Sequence, residues 1–498
     1  MGLIKRFKNL DTYTKFSAIV IVLFSAIVFA LALIYHISGD ACWHISAARF
    51  MSEEKKIPLN EGLGREIPFW SPPLFHLVSA FVYQISGNAA DTTVKLISPV
   101  FAVLTLLFTF LAVRRLFDAK IGFYTLLFLA FIPLFMDYSV FSYVESMLTF
   151  FVVLSVYFAI RNNVILASLV AGLGILTKYN ALFIIPLLMY IAFMKRKNSY
   201  ALVRNIAIIA VLPLLIASPW LVRNWLILGN PVWPFLNFIF NGVPDSSFAG
   251  FHLDRLIDID LVRATYLAIF GVPNGDLNAL LFFDMPYMGL LIAIWLIGSL
   301  IFILPLAYIA RIKKIKNIGL LSLWIALYSL LFLLYVPNVG FGVARIVMPA
   351  LPALAVIWAH GFSKILDYKY KNYTYKKIIL LVFILVVSGF ILTEFAKITL
   401  AAREWNFYNQ DFKWIQVNTQ KDSLIMARGQ CIPYNIRRQT VSPDAENLEK
   451  AQFAFINQKF KLDTRTIIDE NILSEIKSNS DLAYSNTKTK TEIYKIKR

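Results

Sequence analysis

The chain is poor in charge for its length. Only 16% of its 498 residues are Asp, Glu, Lys or Arg, where a soluble domain carries about 25%. A single soluble globule is thereby excluded. There are two cysteines, Cys42 and Cys431, too few for a disulfide framework and without metal-site spacing, so they leave the redox compartment open. Five histidines make any local pair of them noticeable. The sequence has no P-loop, no HExxH, no GxSxG and no repeated Gly-x-Gly phosphate motif, which argues against a nucleotide-driven pump and against those hydrolase types. It also lacks internal repeats and low-complexity tracts.

What fills the chain is apolar: 58% hydrophobic residues with 42 Phe, 23 Tyr and 10 Trp, and a mean hydropathy of +0.66. This is the composition of a polytopic membrane protein. The net charge of +18 does not indicate nucleic acid, because the basic residues stand in short clusters between apolar runs. Such clusters mark cytoplasmic loops facing anionic lipids. Phe16 to Ile37 is long enough to span and shows no small-residue cleavage site, so it reads as a first membrane helix.

Lys5, Arg6, Lys8 and Lys15 keep the N-terminus inside, so the first helix delivers Asp40 to the outer face. Residues 72–86 are apolar but too short to cross. If they did cross, the clusters at Arg114 to Lys120, Lys195 to Lys197 and Arg311 to Lys316 would all lie outside. Residues 72–86 are therefore expected to form a juxtamembrane or re-entrant helix on the outer side. Further spans are expected at about 94–113, 121–137, 145–160, 164–177, 180–194, 203–221, 286–310, 318–335, 344–361 and 378–396, about eleven in all. The expected organisation is a transmembrane domain over 1–397, with outer loops at 38–93 and 223–285. After it comes a small extracytoplasmic α/β domain over 398–498. Its strands are expected at LIMA, RQTV, FAFI and EIYKI, its helices at FKWIQVN and DENILSEIK, and Ser478 to Lys490 reads as a polar loop.

The chemistry gathers around residues 38–76, which hold Asp40, Cys42, Trp43, His44, Glu66, Ser71, Pro72, Pro73 and His76. Asp40 is either a helix-capping acid or a general base. His44 follows it by four residues, on the same face of a helix. With His76 the three offer a carboxylate and two imidazoles to a divalent cation, unless the histidines simply bond backbone or lipid. Glu145 opens a span, where the helix dipole favours an acid, yet a carboxylate beside hydrocarbon usually faces a polar cavity. Lys178, Arg223 and Arg345 are cations on the outer side, where sorting by charge does not call for them. Snorkelling explains them, and so does contact with a phosphate, for which the guanidinium fork is suited.

An acid after the first helix, a Pro-Pro-Leu-Phe turn, Thr-Lys-Tyr at 177–179, Pro-Trp-Leu-x-Arg-Asn leading to Gly-Asn-Pro, and Arg345 followed by Met-Pro-Ala-Leu-Pro occur in this order. The pattern resembles the GT-C membrane glycosyltransferases related to protein O-mannosyltransferases and to the aminoarabinose transferases of lipid A, over residues 1 to about 360. The resemblance implies a mostly α, GT-C type fold and transfer of a sugar, with inversion, from a polyprenyl-phosphate donor to a protein, lipid or glycan acceptor at the outer face of a prokaryotic cell membrane. It implies Asp40 as catalytic base or metal ligand, Glu145 as a second catalytic acid, and Lys178, Tyr179, Arg223 and Arg345 near the lipid phosphate, with no nucleotide. Two departures stand out. Ala41 replaces the second acid of the usual pair, and Trp70-Ser71-Pro72-Pro73 lacks the lysine many relatives place before Pro-Pro. The competing reading is a transporter or flippase for an anionic lipid or lipid-linked sugar, but paired halves and midplane charges are not seen. A receptor with an outer binding domain would leave the membrane-edge charges unexplained.

Overall fold

The computed structural model describes residues 10–61, 67–87, 91–244, 298, 301, 303–307, 315–339, 344–367, 373–457 and 468–497. Most of the expected span at 286–310, most of the loop 223–285, and Glu66 lie outside the described residues.

Helix α1 (Thr12–Ile34) is capped by Asp11, whose carboxylate accepts from the Thr14 N–H at 2.9 Å. It buries Ser17, Val20, Phe24, Val28 and Leu31, recurring every three to four residues, and leaves Phe16, Ile19, Leu23 and Leu33 exposed. That is the division of a helix with one face in a bundle and the other in lipid. Helix α2 (Asp40–Glu54) follows, then α3 (Leu74–Ile85). At 12 residues, α3 is about 18 Å long and cannot cross the hydrocarbon core. Nine residues of α2 are buried, so it is packed into the protein on most of its faces.

Next come α4 (Asp91–Lys95), α5 (Ile97–Leu116), α6 (Ala119–Phe131) and α7 (Pro133–Val140). The expected single span at 121–137 is a pair bent by 66°. Ile132 is extended at ψ 125°, as the residue before a proline prefers, and Pro133 starts the new helix. Helices α8 (Glu145–Ile160) and α9 (Val164–Thr177) have the expected bounds, followed by α10 (Ile184–Met194) and α11 (Ser199–Leu228). The 30 residues of α11 extend about 45 Å, longer than the hydrocarbon core is thick, with Arg223 in the last two turns. Then follow α12 (Ile318–Val339), α13 (Leu351–Asp367) and α14 (Tyr373–Phe407). Among the described residues five helices are long and apolar enough to cross, six if the bent pair is one span, and the remaining apolar helices are shorter. The count of eleven is not reached on length and composition, because several helices are only 11 to 16 residues.

The chain does not leave the helical body at 397, because α14 runs on to Phe407. Beyond it lie α15 (Asn409–Asn418), the short α16 (Cys431–Ile436) and α17 (Glu470–Ser478). With them is a five-stranded sheet: β1 (Ile425–Met426), β2 (Thr440–Val441), β3 (Phe453–Ile456), β4 (Ser480–Asn486) and β5 (Thr491–Ile496). The order is β2-β1-β3-β5-β4, parallel at β2-β1-β3 and antiparallel at β3-β5-β4. Side chains alternate between two cores. Ile425, Phe455 and Ile493 join the main hydrophobic core, whereas Met426, Ala454, Ile456, Tyr494 and Ile496 pack with Ile476 of α17. The expected polar loop at 478–490 holds strand β4 over Ser480–Asn486, with a turn at 487–490. It is a mostly exposed edge strand, so it lacks the apolar alternation that marks a strand in sequence.

Candidate active site

Gly39 turns the chain into α2 at φ +60°, with Tyr143 so close that a Cβ there would lie 2.6 Å from the phenol oxygen. That oxygen accepts the Asp40 backbone N–H at 2.9 Å. Asp40 thus stands in the first turn of α2, its carboxylate anchored by Arg345 Nη2 at 2.6 Å. The Arg345 guanidinium lies 5.2 Å from the centre of the Tyr143 ring and reaches with Nε to Glu145 Oε1 at 3.5 Å. The same oxygen accepts from Lys178 Nζ at 2.7 Å. Four charges from four segments form one chain, Asp40–Arg345–Glu145–Lys178, two of each sign.

Their exposures separate their roles. The Glu145 side chain is 2% exposed and that of Asp40 34%. Glu145 is an internal brace that aims both cations, and its Oε2 is buried without a partner among the described residues. Asp40 is the acid a substrate can reach.

His44 and His76 meet through their rings, Nδ1 of one 2.9 Å from Nε2 of the other. One proton is shared between them, so those two nitrogens point at each other and not at a common ion. Burial holds His44 at about 3, Asp40 offsetting this in part and Arg345 and Lys178 adding to it. His76 is likewise lowered by burial and by His44. Both are neutral. With Asp40 given to Arg345, the expected ligand trio Asp40, His44 and His76 does not fit a shared metal as arranged. Among the described residues no group of three His, Cys, Asp or Glu has metal-holding geometry.

Arg223 and Tyr179 stand apart from the ion-pair chain. Arg223 donates to the carbonyls of Phe69 (3.1 Å) and Pro58 (3.2 Å), and its guanidinium lies 4.7 Å from the centre of the Trp220 ring. The Tyr179 hydroxyl accepts from Trp220 Nε1 and Asn224 Nδ2 at 2.8 and 2.9 Å. Trp43, Phe69, Tyr179 and Trp220 share a buried cluster that adjoins His76. In this arrangement these residues fix the loop that holds Pro58 and Phe69 on α11.

Sequence reasoning missed Tyr143, although it stands two residues before Glu145 in the same motif. It also missed a disulfide. Cys42 and Cys431 are bonded with Cα atoms 5.1 Å apart, 389 residues apart in sequence, a separation that offered no spacing signal. A further buried cluster, Lys397 with Asp137 (2.6 Å) and Glu394 (2.7 Å), ties α14 to α7.

With this geometry the fold is that of the GT-C membrane glycosyltransferases, in a multi-pass chain. The family described as dolichyl-phosphate-mannose-protein mannosyltransferase matches residues 71–223, a segment that includes Glu145, Lys178 and Arg223. The fold is similar to that of ArnT from Cupriavidus metallidurans in the apo state (13% identity, 97% of this chain and 98% of that one, TM-score 0.63). The same protein bound to undecaprenyl phosphate gives 13% identity, the same coverage and a TM-score of 0.62. It is also similar to the Archaeoglobus fulgidus oligosaccharyltransferase tethered with an acceptor peptide (12% identity, 97% of this chain, 74% of that one, TM-score 0.59). Comparison with curated proteins by sequence gives no match.

Proposed function

We propose that the chain transfers a sugar from a polyprenyl-phosphate-linked donor to an acceptor at the outer face of a prokaryotic cell membrane. The observation that carries this reading is the reachable Asp40 carboxylate paired to Arg345, with Lys178 on the same chain of charges. The donor phosphate competes with Asp40 for Arg345, and Lys178 supplies the second positive charge. Asp40, released from Arg345, accepts the acceptor's proton as its oxygen attacks the anomeric carbon. The bond from that carbon to the phosphate oxygen breaks with its electron pair on the phosphate, held by Arg345 and Lys178. Attack opposite the departing phosphate inverts the anomeric centre.

No nucleotide is needed. A divalent ion at Asp40 would compete with Arg345 for the negative charge of that carboxylate, so transfer measured with and without chelator separates the two ways of neutralising the phosphate. The fold shared with a protein solved with undecaprenyl phosphate supports the donor class. The Cys42–Cys431 disulfide supports an oxidising compartment for both the site and the C-terminal domain. The test is transfer of labelled sugar by purified Asp40→Asn: the reading requires loss of turnover, and wild-type turnover overturns it. Movement of the lipid across liposomes without any glycosidic product would favour the flippase instead.

A further inference from the structure

Asp91 lies outside the ion-pair chain, yet its carboxylate draws three segments together. Arg49 Nη2 of α2 donates to both its oxygens, at 2.9 and 3.2 Å, and the Tyr434 hydroxyl of α16 donates at 2.6 Å. The Tyr83 hydroxyl of α3 donates as well. Arg49 Nη1 also donates to the Tyr434 carbonyl at 3.2 Å, with its guanidinium 5.0 Å from the centre of the Tyr434 ring. The side chains of Arg49 and Asp91 are 15% and 23% exposed, so the charges rely on each other. Three residues before Tyr434 stands Cys431, bonded to Cys42.

The positions on α2 give this meaning. Cys42 and Arg49 are seven residues apart, which at about 3.6 residues per turn puts them on one face. Asp40 is two residues before Cys42, about 200° around the helix, so it falls on the opposite side with His44. The C-terminal domain therefore grips the back of α2 covalently at Cys42–Cys431 and, about two turns on, electrostatically at Arg49, with a further exposed ion pair from Lys421 to Glu53 at 2.7 Å. Two points on one face fix both the rotation and the tilt of the helix that presents Asp40.

We propose that Asp91 is a positioning residue for the transfer reaction, and that the C-terminal domain is the back-plate that holds Asp40 against Arg345. This rests on the reading of Asp40 as the base. The domain is then part of the catalytic frame, whatever else it binds.

The test uses the full-length enzyme in Asp91→Asn, Asp91→Glu and the milder Tyr434→Phe, with Glu446→Ala, an exposed acid of the domain paired to Lys450, as control. Two readouts are taken: steady-state kinetics, and the fraction of Cys42 and Cys431 alkylated at a fixed reductant concentration. Asp91→Asn is expected to lower kcat by about 10-fold or more, since small misplacements of reacting groups are that costly. KM for the donor should stay within about twofold, because Arg345 and Lys178 are untouched. Asp91→Glu restores part of the rate, Tyr434→Phe falls between, and Asp91→Asn raises alkylation. Folded Asp91→Asn with wild-type kcat, or with unchanged alkylation and a loss that Asp91→Glu does not rescue, overturns the proposal. If the wild-type chain transferred no sugar, the reading of function would fail, while alkylation would still report whether Asp91 holds the domain to α2. Should Asp91→Asn not fold, Tyr434→Phe decides by the same two measurements.

Discussion

Removing Lys178 should hurt more than removing Lys178 and Glu145 together. In the fold Glu145 Oε1 lies 2.7 Å from Lys178 Nζ and 3.5 Å from Arg345 Nε, and the acid is 2% exposed. At an effective dielectric of about 20 the two attractions amount to roughly 6 and 5 kcal/mol before desolvation is charged against them. Lys178→Met deletes the nearer cation and leaves a buried carboxylate leaning on one longer contact, a change that typically costs about 3–5 kcal/mol. Glu145→Gln keeps shape and an accepting oxygen and should cost about 1.5–3 kcal/mol, the range for a lost charged hydrogen bond. The double variant removes both charges and leaves the site neutral, so its cost should not exceed that of Lys178→Met alone. The assay is equilibrium unfolding or thermal inactivation of the four purified proteins in one detergent. Costs that add to within about 0.5 kcal/mol would show that the two side chains are not coupled, and the brace assigned to Glu145 would be withdrawn. Transfer should fall in all three variants, since Lys178 is lost or misaimed in each.

Acidification should destabilise the fold through His44. Above pH 6.5 His44 is neutral folded or unfolded and contributes no slope. Below it the unfolded chain takes up a proton that the buried ring, held at about 3, refuses, and stability drops by up to about 1.4 kcal/mol per pH unit. His76 acts in the same direction. Thermal stability between pH 7.5 and 5.5 should therefore decline less steeply in His44→Gln than in wild type, and parallel slopes would refute the assignment. Gly39→Ala combines a left-handed φ with a Cβ 2.6 Å from the Tyr143 hydroxyl. It should cost about 1–2 kcal/mol and lower transfer. Part of the loss should return in Gly39→Ala with Tyr143→Phe, as kinetic and melting measurements on both would show. Arg223→Ala frees the carbonyls of Pro58 and Phe69 and should speed proteolysis between them, while raising donor KM less than Arg345→Ala does. An equal rise would return Arg223 to the phosphate.

The parts of this fold that were readable from sequence are those where one physical rule acts alone. Apolar runs bounded by polar and basic residues gave the helices at 145–160 and 164–177 to the residue, and the short apolar run at 72–86 gave a helix of only 12 residues. Charges standing where membrane sorting does not place them singled out Lys178 and Arg345, and these two meet Glu145 and Asp40. Partnership over long separations was not readable. Arg223 carries the same sequence signal as Arg345, an outer-side arginine near prolines. The fold gives one to Asp40, 305 residues away, and the other to two loop carbonyls. Composition cannot tell them apart, because the difference lies in which backbone groups the first outer loop leaves unpaired. The same holds for Cys42 and Cys431, uninformative until the C-terminal domain is folded back on α2. A site assembled from four segments is specified by the chain as a whole, so its acids and bases can be named from sequence while their pairing waits on the packing. That pairing determines which acid a substrate can reach: the Asp40 side chain is 34% exposed while Glu145 is enclosed by both cations at 2%, and exchanging those environments would exchange the roles.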